Sequence, residues 1–330
     1  MLPVYSKTEI FTLFVKLLYN LNMTEKYQKS YIIESQKVLH FTFNNFKDME
    51  RYGKNWSFYD FFRYGTQPFK GRYDIYQHKD FQIANAIYED GLMYKGYAPK
   101  NTITLAIIIN KKGSLTVNQI PLNHNEILIM DDLSEYDTVF SQYVQIGTIS
   151  MRKEFVNMHF SYLNHMINKV YIDTNSLLTN IIEQLTNNTE CHDQSMKSQL
   201  IENIKRLSFK KQTVIPKKLS KKESLIFDIR KYLIKHAEEN IPIENLALKF
   251  GMSDKTLQTI FKKIFGHTPK KFMKLLKLNL TYRDITEDNR SSETISKIAM
   301  KYGFNNFGLF SQKFKTMYGI LPSKIGKTIS

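Results

Sequence analysis

The sequence predicts an α+β protein: an N-terminal β-barrel with flanking helices, followed by an all-α part containing two helix-turn-helix units. Three observations lead there. Between residues 69 and 151, short runs rich in Ile, Val, Tyr, Phe and Thr are broken at Gly91, Pro99, Gly113 and Asn123, which is the texture of β structure. Charge is concentrated late in the chain, where residues 210–330 hold 25 Lys and Arg against 10 Asp and Glu, while residues 1–209 hold 22 against 21. The basic third also contains one segment written twice.

With 330 residues, 42% of them hydrophobic, the chain has enough apolar material for more than one folded domain. Residues 1–65 place Ile10, Phe14, Leu17 and Leu18 at helical spacing but give no clear boundaries. Strands are expected over 81–87, 102–109, 115–120, 126–130 and 143–151, forming a small sandwich or barrel. A barrel of this size can enclose one small ligand. From Arg152 onward the pattern turns helical, over 155–171, 176–185 and 195–209. In the last of these, Met196, Leu200, Ile204 and Leu207 make one apolar stripe, which either packs on its own domain or pairs with a second subunit. Residues 210–220 are polar, basic and interrupted by Pro216, as in an exposed linker.

The repeat sets LALKFGMSDKTLQTIFKKIFGHTP (246–269) beside IAMKYGFNNFGLFSQKFKTMYGILP (298–322). With one residue inserted in the second copy, Ala247, Lys249, Gly251, Leu257, Phe261, Lys262, Gly266 and Pro269 match Ala299, Lys301, Gly303, Leu309, Phe314, Lys315, Gly319 and Pro322. Each copy has what two helices need to meet across a tight turn. Ala247 and Ala299 are small at the crossing, and Gly251 and Gly303 accept the positive φ that ends the first helix. Ser253, and Asn305 or Asn306, then cap the second helix.

In that second helix Leu257, Ile260, Phe261 and Ile264 are expected to face inward, as are Leu309, Phe310, Phe314 and Met317 in the other copy. The opposite faces carry Lys255, Gln258, Thr259 and Lys262, and Gly308, Ser311, Gln312 and Lys315. Glutamine can read base edges in a major groove and lysine can read guanine or hold phosphate. Asn306 and Phe307 open the second of these helices, where Phe307 either contacts DNA or packs within the motif. Between the copies, Thr268 and Pro269 start a helix through about Ile285, long enough to hold two readers in neighbouring groove segments.

These residues resemble the AraC/XylS family of bacterial regulators, whose DNA-binding domain joins two helix-turn-helix motifs through one helix. The specific part is GFNNFGLFSQKFKTMYGILP, residues 303–322; departures are Lys277, where the family favours arginine, and Thr281, where it favours alanine. The segment beginning at Phe69, Gly71 and Tyr73 is similar in pattern to the sensor part of the ethanolamine-operon activator subset, without carrying over that effector. The resemblance implies a cupin-like sensing and dimerisation domain over 1–209, a linker at 210–220 and a DNA-binding domain over 221–330. It further implies promoter DNA, RNA polymerase, a small-molecule effector and a second copy of the chain as partners. Two other readings compete: control by a partner protein, and a barrel enzyme fused to DNA binding.

Enzyme chemistry finds little support. Cys191, His192 and Asp193 are adjacent in a polar stretch and seldom converge as a working site. His78 and His124 are far apart and no His-x-His pair accompanies the strands, so neither metal nor cofactor is expected. His159 and His165, six apart in an expected helix, point to different faces. The single cysteine fits a reducing compartment and no leader or spanning segment is read, so a cytoplasmic protein is expected.

Overall fold

Side-chain alternation along the β-rich region sorts it into layers. The computed structural model describes residues 36–44, 56, 59–65, 69–187, 190–191, 193–207, 209, 218–287 and 294–325. Among these, the strands are β1 (Gln36–Lys37), β2 (Leu39–Phe43), β3 (Tyr59–Arg63), β4 (Gly71–Gln77), β5 (Phe81–Tyr88), β6 (Leu92–Gly96) and β7 (Thr102–Lys111), then β8 (Leu115–Val117), β9 (Ile120–Pro121), β10 (Glu126–Asp131), β11 (Tyr136–Phe140), β12 (Val144–Arg152), β13 (Val170–Ile172) and β14 (Glu190–Cys191). A seven-stranded sheet runs β13-β10-β7-β12-β5-β4-β2 and a five-stranded sheet runs β3-β6-β11-β8-β9, while β1 pairs with β14. The described pairings are antiparallel.

The barrel expectation is therefore corrected to two facing sheets, which among the described residues end at the edges β13 and β2, and β3 and β9, instead of closing on themselves. Strand period explains the layering. On β7, Ile103, Leu105, Ile107 and Ile109 face one way and Ala106 and Ile108 the other. The first set shares a core with helices α1 (Lys153–Phe160), α2 (Leu177–Asn187) and α3 (Asp193–Arg206), which contribute Phe155, Leu178 and Ile182, and Leu200. The second meets Leu92, Tyr94, Leu115 and Phe140 of the five-stranded sheet.

The stripe of Met196, Leu200, Ile204 and Leu207 is buried in the first of these cores. Of its two expected uses, packing on its own domain is the one found. The helix expected over 155–171 is shorter, because residues 170–172 add a strand to the edge of β10. Strands β4, β6 and β11 were not among those expected; their mixture of aromatic and charged residues hides the period. Ile10, Phe14, Leu17 and Leu18, and most of the linker, lie outside the described residues.

The remaining helices are α4 (Lys221–Lys235), α5 (Ile243–Lys249), α6 (Asp254–Phe265), α7 (Pro269–Glu287), α8 (Ile295–Lys301) and α9 (Phe307–Tyr318). Their core, around Phe227, Leu246, Phe261, Phe272 and Phe314, takes in Phe62, Tyr64, Met93 and Val139 from the outer face of the five-stranded sheet. Polar contacts cross the same boundary. Asn279 of α7 accepts from the Arg63 backbone N–H at 2.9 Å and donates to its carbonyl at 2.6 Å. Arg63 also donates to the Met317 carbonyl on α9. His267 Nε2 donates to the Tyr64 carbonyl at 2.6 Å, and Arg230 of α4 forms a two-pronged ion pair with Asp137 of β11. Residues 35–330 accordingly form one compact unit.

Candidate nucleic-acid interface

The repeat becomes two helix pairs, α5–α6 and α8–α9. In each, the first helix ends at a glycine with positive φ, +64° at Gly251 and +80° at Gly303. Nothing lies within 4 Å of a side chain built at Gly251, so backbone conformation is what selects glycine there. Ala247 and Ala299 are buried at the crossings, 1% and 0% exposed. Ser253 caps α6, its side chain accepting from the Thr256 N–H. On α9 the cap is Asn306, which accepts from the Leu309 N–H at 2.9 Å.

That cap corrects one part of the repeat. The inserted residue sits in the turn before α9, so the first alignment is off by one at Leu257, while Phe261 and Phe314 stay matched. Leu257 of α6 corresponds in the helix to Phe310 of α9, and both are buried. Leu309, expected to face inward, is 47% exposed. Helix geometry forces this outcome: with Phe310 and Phe314 one turn apart in the core, Leu309 lies about 100° round the axis from Phe310.

The expected polar faces are on the surface. Lys255, Gln258, Thr259 and Lys262 of α6 are exposed, as are Asn306, Phe307, Gly308, Gln312 and Lys315 at or on α9, with Ser311 half-buried. Phe307 is 39% exposed at the first turn, beside the cap. Among the described residues no ion pair engages Lys255, Lys262 or Lys315, which leaves three ammonium groups to offer a polyanion.

Two other lysines, Lys263 and Lys301, are held by acidic partners. Lys263 reaches Glu223 at 2.8 Å, and that contact, with the Ser220 cap, holds the Glu223 carboxyl down at about 2. Lys301 is 3.1 Å from Asp284, whose carboxylate also accepts from the Tyr302 hydroxyl at 2.7 Å. The hydrogen bond to Asp284 raises the Lys301 ammonium above its ordinary range, so it stays charged. These contacts tie α6 to α4 and α8 to α7. The linking helix α7 has 19 residues, a length of roughly 28 Å. Lys277 donates to the Glu239 carbonyl at 3.0 Å and Thr281 donates to the Lys277 carbonyl at 2.8 Å, so both departures from the family pattern are accommodated locally.

Sequence reasoning missed the residues that hold this interface to the sheets, Arg63, Asn279, Asp137 and Arg230. Arg63 and Asp137 stand in largely aromatic and apolar strands, but nothing local pairs them with Asn279, Met317 or Arg230. Among the described residues no group of three or more His, Cys, Asp or Glu is placed to hold a metal. His78 is buried against the Phe81 ring, its Nδ1 accepting from the Asp80 N–H at 3.0 Å, while His124 is exposed. No helix among the described residues is long and apolar enough to cross a membrane.

Two capped helix pairs joined by one long helix define a double helix-turn-helix DNA-binding domain. Residues 246–328 match the family model described as a helix-turn-helix domain. The chain is 29% identical over 98 residues to a probable thc operon regulatory protein of Rhodococcus erythropolis, covering 30% of each chain. It is 30% identical over 92 residues to XylDLEGF operon transcriptional activator 1 of Pseudomonas putida, covering 28% of each. It is 35% identical over 97 residues to the transcriptional activator RhaS of Mannheimia succiniciproducens, covering 29% of this chain and 34% of that one. These matches thus span about a third of each relative or less. The C-terminal domain of this chain is an AraC/XylS-type helix-turn-helix domain.

Proposed function

We propose that the chain is a sequence-specific transcription regulator, an activator whose helical domain (221–330) engages promoter DNA and whose β-rich part (within 1–209) responds to a small-molecule effector. The observation that carries the reading is the pair of equivalent helices α6 and α9, which bury Leu257 and Phe261, and Phe310 and Phe314, and leave the expected polar residues on the surface. Its electrostatics agree, since Lys255, Lys262 and Lys315 are available to displace counterions from phosphates. Gln258 and Gln312 are the candidate base readers, Thr259, Asn306, Gly308 and Ser311 their neighbours at the groove, and Phe307 the candidate contact to a sugar or thymine methyl.

The relatives named as transcriptional activators support the sign of regulation, and activation would run through contact with RNA polymerase. Dimerisation, if direct-repeat sites require it, must use a surface other than the α3 stripe, which is already buried. A regulator of this kind works in the cytoplasm.

The test is a mobility-shift titration over promoter fragments with the full chain, scored against random DNA. Gln258→Ala and Gln312→Ala should each weaken specific binding by about 1–3 kcal/mol and spare non-specific affinity. Equal losses on random DNA, or no preference for any fragment in the parent, would reject base reading by these helices.

A further inference from the structure

The β-rich part grips the helix α6 at its C-terminal end. The Ser114 hydroxyl donates to the Ile264 carbonyl, one of the last four in α6 and so without a partner inside the helix. Gly266, the left-handed cap of α6, packs on Ser141, whose carbonyl lies 3.1 Å from a side chain built at that glycine. Ser141 also holds the turn between β7 and β8. The Ser114 N–H donates to Ser141 Oγ at 2.9 Å, the Ser141 N–H donates to the Ser114 carbonyl at 3.0 Å, and the Lys112 N–H donates to the Tyr143 carbonyl at 2.8 Å. Gly113 is required at the tip, since its φ is +72° and a Cβ there would lie 2.3 Å from Ser141 Oγ. The β7–β8 hairpin is thereby fixed beside the end of α6.

Its charge is one-sided. Residues 110–114 read Asn-Lys-Lys-Gly-Ser, with two cations and no anion. Lys111 folds back to donate to the Gly113 carbonyl at 3.1 Å, while Lys112 is exposed. Lys262 in the last turn of α6, and Lys270 and Lys271 in the first turn of α7, are exposed too. Among the described residues no ion pair engages Lys112, Lys262, Lys270 or Lys271. Burial and the Lys271 ammonium hold the His267 imidazole of the α6–α7 turn below its ordinary range. Cations gathered at one helix end repel one another in the free protein, and a polyanion relieves that repulsion.

Duplex DNA supplies such a polyanion at this place. In helix-turn-helix docking the N-terminal residues of the recognition helix meet the base edges. Helix α6 has 12 residues, a length of roughly 18 Å against a major groove about 12 Å wide, so its C-terminal end emerges beside the phosphates.

We propose that the β7–β8 hairpin is a third DNA contact, in which Lys112 meets the backbone phosphates flanking the groove occupied by α6. The β-rich part then contributes directly to sequence-independent affinity. The proposal rests on the DNA-binding reading above and extends the interface beyond the helical domain.

The experiment measures binding of the full chain to a random-sequence duplex over a range of salt concentrations. Lys112→Gln should reduce the slope of log affinity against log salt by about 0.9, the share of one phosphate contact. At 0.1 M salt the loss should be about eightfold, which is what one released counterion supplies relative to 1 M. Lys112→Glu should lose more. A preferred promoter fragment should lose affinity by the same factor as random DNA, because phosphates carry no sequence. Lys100→Gln is the control: it removes an exposed lysine beyond the other end of β7, ten residues or roughly 30 Å away, and should leave the slope unchanged. Melting temperatures equal to the parent's confirm that the exposed substitutions leave the fold intact.

A slope unchanged in both Lys112 variants would overturn the contact. An equal fall in Lys100→Gln would also overturn it, by showing an effect of total charge alone. A loss confined to the preferred fragment would overturn phosphate as the target. A parent that binds no duplex would reject the DNA-binding reading itself, whereas a parent that binds with Lys112→Gln its equal would reject the hairpin contact only.

Discussion

Replacing Asp137 by alanine tests whether sheet and helices are held together through a buried ion pair. The Arg230 side chain is 5% exposed and that of Asp137 21%. The guanidinium donates Nη1 to Asp137 Oδ1 at 3.0 Å and Nη2 to the other oxygen. It also lies 5.3 Å from the Phe227 ring centre, and its Nε is buried without a hydrogen-bond partner. Arginine does not discharge by losing its proton, so Asp137→Ala leaves a cation facing Met93 and Phe227. Breaking a buried pair from one side costs about 3–5 kcal/mol; the partial exposure of Asp137 lets water reach the orphaned group and places the expectation near the lower end.

Removing both partners should behave differently. The unsatisfied Nε means the pair carries a desolvation cost that it does not fully offset, so Asp137→Ala with Arg230→Met should lie within about 1 kcal/mol of the parent. The assay is urea unfolding of the full chain followed by far-UV circular dichroism and Trp56 fluorescence, with coincident transitions required before free energies are compared. A single substitution costing under about 1 kcal/mol, or a double substitution as damaging as the single, would refute the reasoning.

Three further outcomes are expected. Glu223, held at about 2 by Lys263 and the Ser220 cap against an ordinary 4.5, stabilises the fold above its unfolded value, and that contribution is lost as pH falls from about 4.5 towards 2. Glu223→Gln should flatten this part of the acid-unfolding curve, and an unchanged curve would count against the assignment. Gly251→Ala, with open space around it and φ of +64°, should cost about 1–2 kcal/mol in thermal or urea unfolding from backbone strain alone. Asn306→Ala should cost about 1 kcal/mol in urea unfolding while Asn305→Ala costs little; the reverse order would move the cap and restore the original repeat register.

The helical domain was legible because its determinants are local. A glycine four residues after an alanine, then a capping side chain, then apolar residues at three- and four-residue spacing specify each helix pair within about 25 residues, and duplication doubled the signal. Even there, the one-residue insertion was misplaced. Sequence identity aligned Leu257 with Leu309, whereas the register follows from which asparagine caps and which side chain, Leu309 or Phe310, reaches the core.

The β-rich part yielded less. Its central strands β5, β7, β10 and β12 announced themselves by apolar density. Closure, sheet order and the strands β4, β6 and β11 did not, because partners lie far apart in the chain, as when β12 pairs with both β5 and β7. The sequence alone determined where charge gathers, which segment is duplicated and which polar residues its second helices display. Tertiary structure decided that Arg63 reaches the Met317 carbonyl and that Asp137 meets Arg230 across 93 residues of chain. It also decided that one strand faces a cavity with alternate side chains and the helical domain with the rest. Such pairings depend on which faces come together when the layers stack, and local propensity holds no record of them.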